Sequence, residues 1–376
     1  MSAFGIRVVA LNGTTFDLGQ QVQGVHFTTQ HPGGCAEFGC SIPAEFGEQL
    51  AIPPYLGYNY RLDVTDSRGY VWSGRTAYPS LVRSRTGYQW RLGAKGYGVT
   101  LSDQLSTTTN AQNTATNTLL SNALALAPSI TASTITATGF TISNTAAVNL
   151  ARVTPAMMAS WIARFGDSNF DPQTMVVYPD NDGTIRLTFK PRPTTADITG
   201  AIYDSESAEI GGEESDFADK VTIQYNAGTS YVSASDSALI AKLGLTKEYA
   251  AIIPEITQSV DATQAANAIL EAKSQLRIAA SGPLVYRADA PLYDSNGTLL
   301  PAHRVRSGQI FRFIDVSPYE STPSNLAFFN SFMVAETSFD EDSQTLTITP
   351  ESYALHLQRS VATVYSLIAG RYQIGV

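Results

Sequence analysis

Apolar residues alternate with polar ones in short runs far more often than they recur at helical spacing, which predicts a mainly β chain with a few helices. Residues 7–11 end at the Asn12-Gly13 turn. Residues 58–64 lead through Thr65-Asp66-Ser67-Arg68-Gly69 into 70–74, a hairpin pattern, and 90–94 and the Gly96-Tyr97-Gly98 tract follow. Leu119, Leu120, Ala123, Leu124 and Ala127 form a short helical stripe stopped by Pro128, and 130–142 is Thr-rich and β-branched with a break at Gly139. Thr154-Pro155 supplies an N-cap and a proline at the first helical position. A helix with Met158, Trp161, Ile162 and Phe165 on one face is therefore expected up to Gly166. Strands are expected at 176–178, 184–189 and 221–225, a short helix at 235–243 ended by Gly244, and a hairpin of 332–339 with 345–349 across the acidic turn 340–343.

The longest helical pattern runs over 261–278. Asp261 and Gln264 form a capping box, Ala262, Ala265, Ile269, Ala272 and Leu276 recur on one face, and Gly282-Pro283 ends the pattern. The narrow, alanine-rich face predicts close packing flat on a sheet, formed partly by residues 284–287 and 309–314.

Length and composition add limits. A chain of 376 residues is too long for one ordinary core and should form two to four domains. Charged residues make up 15% against a usual ~25%, with Thr, Ser, Ala and Gly in their place, which favours strands and assembly surfaces. The net charge is −9 and no run of Lys or Arg tracks a phosphate backbone, so tight nucleic-acid binding is not expected. No segment reaches the ~20 apolar residues of a membrane span, and the first residues lack a signal peptide's pattern, so a soluble chain made in the cytosol is expected.

Candidate chemistry is sparse. Cys35 and Cys40, with His26 and His31, supply zinc-ligand types, but the C-x4-C and H-x4-H spacings crowd together instead of being split between two elements. A Gly-rich loop with reduced thiols is the expectation, together with tolerance of serine at either cysteine. Asp180-Asn181-Asp182-Gly183 resembles the front of a calcium loop but lacks the distal Glu, so it is read as a hairpin turn. Glu209, Glu213, Glu214 and Asp216 surround Gly211-Gly212 with no apolar flank to raise a carboxyl pKa, which points to a solvated loop. The aromatics Tyr55, Tyr58, Tyr60, Tyr70, Trp72, Tyr88, Trp90 and Tyr97 suggest either a sugar-binding surface or, favoured at strand spacing, core and cross-strand pairs. His26, His31, His303 and His356 are too scattered to nominate a triad, and no G-x-S-x-G, Walker or H-E-x-x-H motif occurs. No catalytic, cofactor-binding or metal residue is nominated, no cofactor is implied, and no enzymatic activity is expected.

The order of elements from Asp219 onward resembles the hub proteins of phage tails and related contractile machines, including the late control protein D-like family. Residues 219–225 resemble the strand opening that family's second tube-like domain. Residues 236–244 are similar to its short D-x-x-S-I-x-x-Y-G helix, with Ala238 and Leu243 departing from the pattern. The pattern at 261–278 is similar to its A-x-x-x-A-x-x-x-L helix, 305–313 to the strand that follows, and 332–340 with 345–349 to its closing hairpin. Towards the N-terminus, 71–74, 96–97 and 101–103 resemble the first tube-like domain, and 1–55 carries no matching motif. The resemblance implies a mainly β fold with α+β portions: a first tube-like β domain at 1–105, an intervening α+β domain at 106–218, and a second tube-like β domain with inserted helices at 219–376. It implies a structural tail hub of a virion, made in the host cytoplasm. Such a hub is a homotrimeric ring in the tail tip or baseplate, contacting tail tube or distal tail proteins and a central fibre or spike, with genomic DNA passing through unbound. With the sequence ending at Val376, no C-terminal fibre or lysozyme domain is expected. The alternatives are a hexameric distal tail protein and a carbohydrate-binding or carbohydrate-active protein of the receptor apparatus. A ring of copies should pair β-edges near 345–349 across chains, and acidic side chains at 340–342 or 209–216 should line the lumen.

Overall fold

One antiparallel ladder of eight strands joins the two ends of the chain. From Ser80–Ser84 it passes to Gly87–Gly96, Gly33–Pro43, Gln23–Gln30, Ser331–Asp340, Thr345–Pro350, Leu284–Arg287 and Ser205–Ser207, each antiparallel to the next. The computed structural model describes residues 3–19, 22–43, 58–84, 87–106, 114–135, 141–142, 153–165, 173–191, 193, 195–208, 210–212, 217–253, 259–274, 277–280, 282–315, 327–328 and 331–351.

Side branches leave the ladder at both halves. Gly69–Thr76 meets the end of Gly87–Gly96 and continues to Arg61–Asp66, Gly5–Val9 and Thr15–Asp17. The first residues of Ser331–Asp340 pair with Ile310–Phe313, which runs parallel to Ile198–Gly200. The expected hairpins at 61–76, 173–191 and 331–350 all form. Three buried clusters result. The largest mixes residues from both ends of the chain, from Phe4, Val25 and Trp72 to Phe311, Phe339 and Ile348. The second joins Tyr97 and Leu101 to the helices α1 (Thr116–Leu124) and α2 (Pro155–Phe165) and to Met175, Leu187 and Phe189. The third is smaller and lies between 221 and 270.

Local signals placed most helices. The Thr154 hydroxyl accepts the Met157 amide at 3.3 Å at the start of α2. In α3 (Ser237–Leu243), the Asp236 carboxylate accepts the Leu239 amide at 3.0 Å, and Gly244 closes the helix with φ 68°. The longest helix, α4, departs from expectation. It spans Ser259–Lys273, starting before Asp261 and ending well before residue 278. Arg277–Ala280 is instead a strand, held by Ile210–Gly212 on one side and Ala327–Phe328 on the other. Ladder hydrogen bonds to two neighbours outweigh a helical extension there. Leu276 and the side chains of Asp261 and Gln264 lie outside the described residues. Ala262, Ala265 and Ile269 are buried as the spacing predicts, with Ala266 buried beside them, and the side chain of Ala272 lies outside the described residues. They pack on a separate sheet in which Lys220–Tyr225 lies between Ser230–Ser235 and Glu248–Ile252, not on 284–287 and 310–313. Any sheet face satisfies a small-residue stripe, and the strands next in sequence on the N-terminal side supply it.

The Cys35/Cys40 tract is not a loop. Gly33–Pro43 is a strand in the middle of the ladder, and both cysteines are buried in the largest cluster. Glycine is required here for close approach. A Cβ on Gly96 would lie 1.8 Å from the Cys35 carbonyl oxygen, and one on Gly34, at φ +90°, would lie 2.1 Å from that of Val177.

Two sets of buried polar contacts tie distant segments together. Asp63, with no exposed side-chain surface, receives Arg7 at 3.1 Å, Arg61 at 2.8 Å and the Ser73 hydroxyl at 2.5 Å. Arg7 also donates to the Tyr70 hydroxyl at 2.7 Å, and Arg61 to the Gly183 carbonyl at 2.5 Å. Asp66, in the turn between Arg61–Asp66 and Gly69–Thr76, is clamped by the segment around 304. His303 Nε2 donates to it at 2.7 Å and Arg304 Nε at 2.8 Å, with the Arg304 Nη2 on its other oxygen. Arg306 adds bonds to the carbonyls of Tyr70 and Val71 at 3.1 and 3.2 Å. Burial raises the Asp66 pKa, but the bonds from Arg304 and His303 together outweigh it and hold the carboxyl well below its usual range. Burial, with the Arg304 and Arg68 charges, lowers the pKa of His303 by more than the contact with Asp66 raises it, so the ring is neutral near pH 7 and carries on Nε2 the proton it gives to Asp66.

Two predictions follow from this packing. Cys40→Ser should lower stability more than Cys40→Ala, by about 1–3 kcal/mol for a hydroxyl without a partner in an apolar core. Equal denaturant midpoints for the two variants would contradict the placement. The Asp66 clamp also has an acid limb. A carboxyl whose folded pKa is depressed stabilises above its unfolded value of ~3.9 and loses that contribution as pH falls through the lower folded value. His303, depressed from ~6.5, disfavours the native state as pH falls below that value, because only the unfolded ring then takes up a proton readily. The stability gap between the wild type and Asp66→Asn, measured by urea melts, should therefore be constant around pH 7–8 and shrink below about pH 4. A gap that stays unchanged as pH falls from about 5 to below 4 would refute the clamp.

Candidate assembly surface

The residues singled out for chemistry are occupied by structure. Burial pushes the Cys35 thiol up to about 11, despite the nearby Arg306 charge. Burial, reinforced by the Glu341 charge, pushes Cys40 up to about 12. Both stay protonated at neutral pH, and a thiol rather than a thiolate is a poor metal ligand and a poor nucleophile. His31 Nε2 accepts the Met175 amide at 3.3 Å, and His26 Nδ1 lies 3.1 Å from the Gly24 carbonyl oxygen. His303 belongs to the Asp66 clamp, and His356 lies outside the described residues. In the turn at 180–183, Asp180 and Asp182 accept the Asn181 and Thr184 amides, both at 2.8 Å, and Gly183 takes φ +79°. The two carboxylates thus complete a hairpin, as expected. Glu209, Glu213, Glu214 and Asp216 lie outside the described residues.

The aromatics divide. Trp72 is fully buried and Tyr97 nearly so, and Tyr60 and Trp90 pack against the core, as strand spacing suggests. Tyr58 and Tyr88 are 60% and 55% exposed, and Tyr58 stacks on Tyr78, 75% exposed, at 5.5 Å. Tyr55 lies outside the described residues.

The ladder ends in two unlike surfaces. At one end, Ser80–Ser84 pairs only with Gly87–Gly96 among the described residues, leaving its outer edge open. Leu81 and Tyr88 are about half exposed, and Arg83 and Arg91 are exposed with no carboxylate at ion-pair distance among the described residues. At the other end, Ser205–Ser207 pairs only with Leu284–Arg287 among the described residues. Glu206 sits on it, Asp204 ends the turn just before it, Asp289 lies close by, and Arg287 is a neighbouring base, 3.9 Å from Glu206 and 3.3 Å from Asp289. Tyr203 and Ile314 are exposed there at 76% and 53%. By contrast, the 345–349 segment expected to pair across chains has no open side. Thr345–Pro350 is held by Ser331–Asp340 on one edge and Leu284–Arg287 on the other.

Sequence reasoning passed over both ends, although a signal existed for the first. Between Asp66 and Asp103 no acidic residue occurs, whereas Arg68, Arg75, Arg83, Arg85, Arg91 and Lys95 do. In a chain of net charge −9 this stretch is a local basic block.

No protein-family model matches the chain, and no curated protein matches it in sequence. Solved structures do match in fold. The chain is similar to the 43 kDa tail protein of prophage MuSo2 from Shewanella oneidensis, with a TM-score of 0.61, 11% identity, and coverage of 92% of this chain and 97% of that one. It is also similar to prophage tail protein gp18 from Listeria monocytogenes EGD-e, with a TM-score of 0.55, 12% identity, and coverage of 96% and 99%. The tail protein from Neisseria meningitidis MC58 matches with a TM-score of 0.54, 11% identity, and coverage of 96% and 99%. The mainly β architecture with its α+β portions is therefore similar to the fold of these tail proteins, carried by a sequence that shares about one residue in nine with them.

Proposed function

We propose that this chain is a structural component of a phage tail: a hub protein of the tail tip or baseplate that joins the tail tube to the tip and forms a ring around the DNA channel. The observation that carries this reading is the extent of the fold match. It takes in 92% of this chain and 97% of the Shewanella prophage tail protein, so the likeness is to a whole tail protein and not to a β module shared among many functions. The order of elements from Asp219 onward supports the hub in particular. In this reading each chain contributes two tube-like β units, from 1–105 and 219–376, that meet where Gln23–Gln30 pairs with Ser331–Asp340. Three chains then present six units to a six-fold tube. The acidic turn at 340–342 faces the channel, where negative charge keeps passing phosphate from binding. Its neighbours are tail tube or distal tail proteins and a central fibre or spike, it is located in the virion tail, and it performs no catalysis.

Two measurements test this. Cryo-electron microscopy of the particle along its axis should show this chain in three copies. Six copies would sink the trimer and favour the distal tail protein. The purified chain should release no product from peptidoglycan or host polysaccharide, and turnover or sugar binding would favour the receptor-apparatus alternative.

A further inference from the structure

We propose that the two ends of the eight-strand ladder are the two halves of one head-to-tail contact between copies of this chain. The hairpin of Ser80–Ser84 and Gly87–Gly96 on one copy docks against the Ser205–Ser207 end of the next. The inference rests on the multi-copy ring proposed above and specifies which surfaces close it.

Three properties of the ends fit each other. Each terminates a continuous antiparallel ladder with an open backbone edge among the described residues, and such an edge is a template for another strand. The charges are opposite in balance: Arg83 and Arg91 on one side, and Asp204, Glu206, Asp289 and Asp315 against Arg287 and Arg312 on the other. Opposite potentials on two patches set both partner choice and register. Each end also exposes large apolar side chains, Leu81 and Tyr88 on one, Tyr203 and Ile314 on the other. Charged groups rimming exposed apolar residues mark an interaction surface more specifically than either feature alone. Because the two patches differ, the contact is heterologous. Repeating it produces a ring when the rotation closes, which an identical-patch contact cannot do beyond a pair. Ser205–Ser207 is short and bulged, so charge and apolar contact, more than a long shared ladder, hold the two ends together.

The test uses the full chain and charge reversal. Arg83→Glu with Arg91→Glu reverses the basic end, and Asp204→Lys with Glu206→Lys reverses the acidic end. Association is read by sedimentation velocity and native mass spectrometry, with circular dichroism melts to confirm that each variant is folded. Each pair of substitutions alone should weaken association by on the order of 100-fold. The chain carrying all four should recover the wild-type assembly. A one-to-one mixture of the two singly reversed proteins should close only rings with an even number of copies, so a three-copy ring should not re-form from it. A folded variant reversed at either end that assembles like the wild type, or a folded four-fold variant that does not recover, overturns this contact and leaves the ring reading in place. An unsubstituted chain that remains monomeric throughout overturns the ring reading, and the contact with it.

Discussion

The structure depends on one long-range pairing, the antiparallel contact of Gln23–Gln30 with Ser331–Asp340. It brings together segments such as Thr29 and Thr337, 308 residues apart, whose buried hydroxyls bond at 2.7 Å. Closing a loop of that length costs about 5 kcal/mol of chain entropy by the (3/2)RT ln n rule. The offset is concentrated at the junction. Phe4, Phe27, Phe339 and His303 pack with ring centroids 5.0–5.8 Å apart, drawn from the residue just before Gly5–Val9, the ladder and the turn at 302–304. Aromatic pairs of this geometry add ~0.5–1.5 kcal/mol each beyond their buried area. Without that pairing the first and last parts of the chain would not share a core, and the ladder would fall into two pieces with four open edges.

The ionic contacts act on top of that junction. Buried charges gain little net stability, because desolvation offsets most of the attraction. Their effect is geometric. Asp63 holds Arg7, Arg61 and Ser73 in one arrangement, and Asp66 binds the turn at 66–69 to His303 and Arg304. The hairpin at 61–76 is thus fixed to the C-terminal half on one side and, through Arg61 and Gly183, to the hairpin at 173–191 on the other. A rigid frame of this kind sets the distance between the two ends of the ladder. An assembly protein needs that property, since small angular errors accumulate around a ring.

The candidate surface was less legible in sequence than the elements that build it. The basic block between Asp66 and Asp103 was visible as a charge pattern, yet its meaning depends on Ser80–Ser84 being the last strand of a ladder. The acidic end is not a sequence feature at all. Asp204, Glu206 and Asp289 come from two segments that become neighbours only when Ser205–Ser207 pairs with Leu284–Arg287. The same limit explains the misplaced edge at 345–349. Alternation marks a strand, and nothing in the alternation says whether one or both of its sides are occupied.

What the sequence by itself determined was local: the turns at 12–13, 66–69, 180–183 and 340–343, the caps of α2 and α3, the buried alanine stripe of α4, and the predominance of strands. Each is set by interactions within a few residues, a glycine at positive φ, a side chain on a free amide, or a period of two or 3.6. The tertiary structure decided which sheet α4 covers, whether Arg277–Ala280 joins a helix or a ladder, that Cys35 and Cys40 are core residues, and where the ladder ends. Those outcomes turn on which of many similar β-edges pair, and a half-buried strand with an alternating pattern carries nearly the same energy beside any of several partners. Only the sum of all contacts over the closed core selects one arrangement.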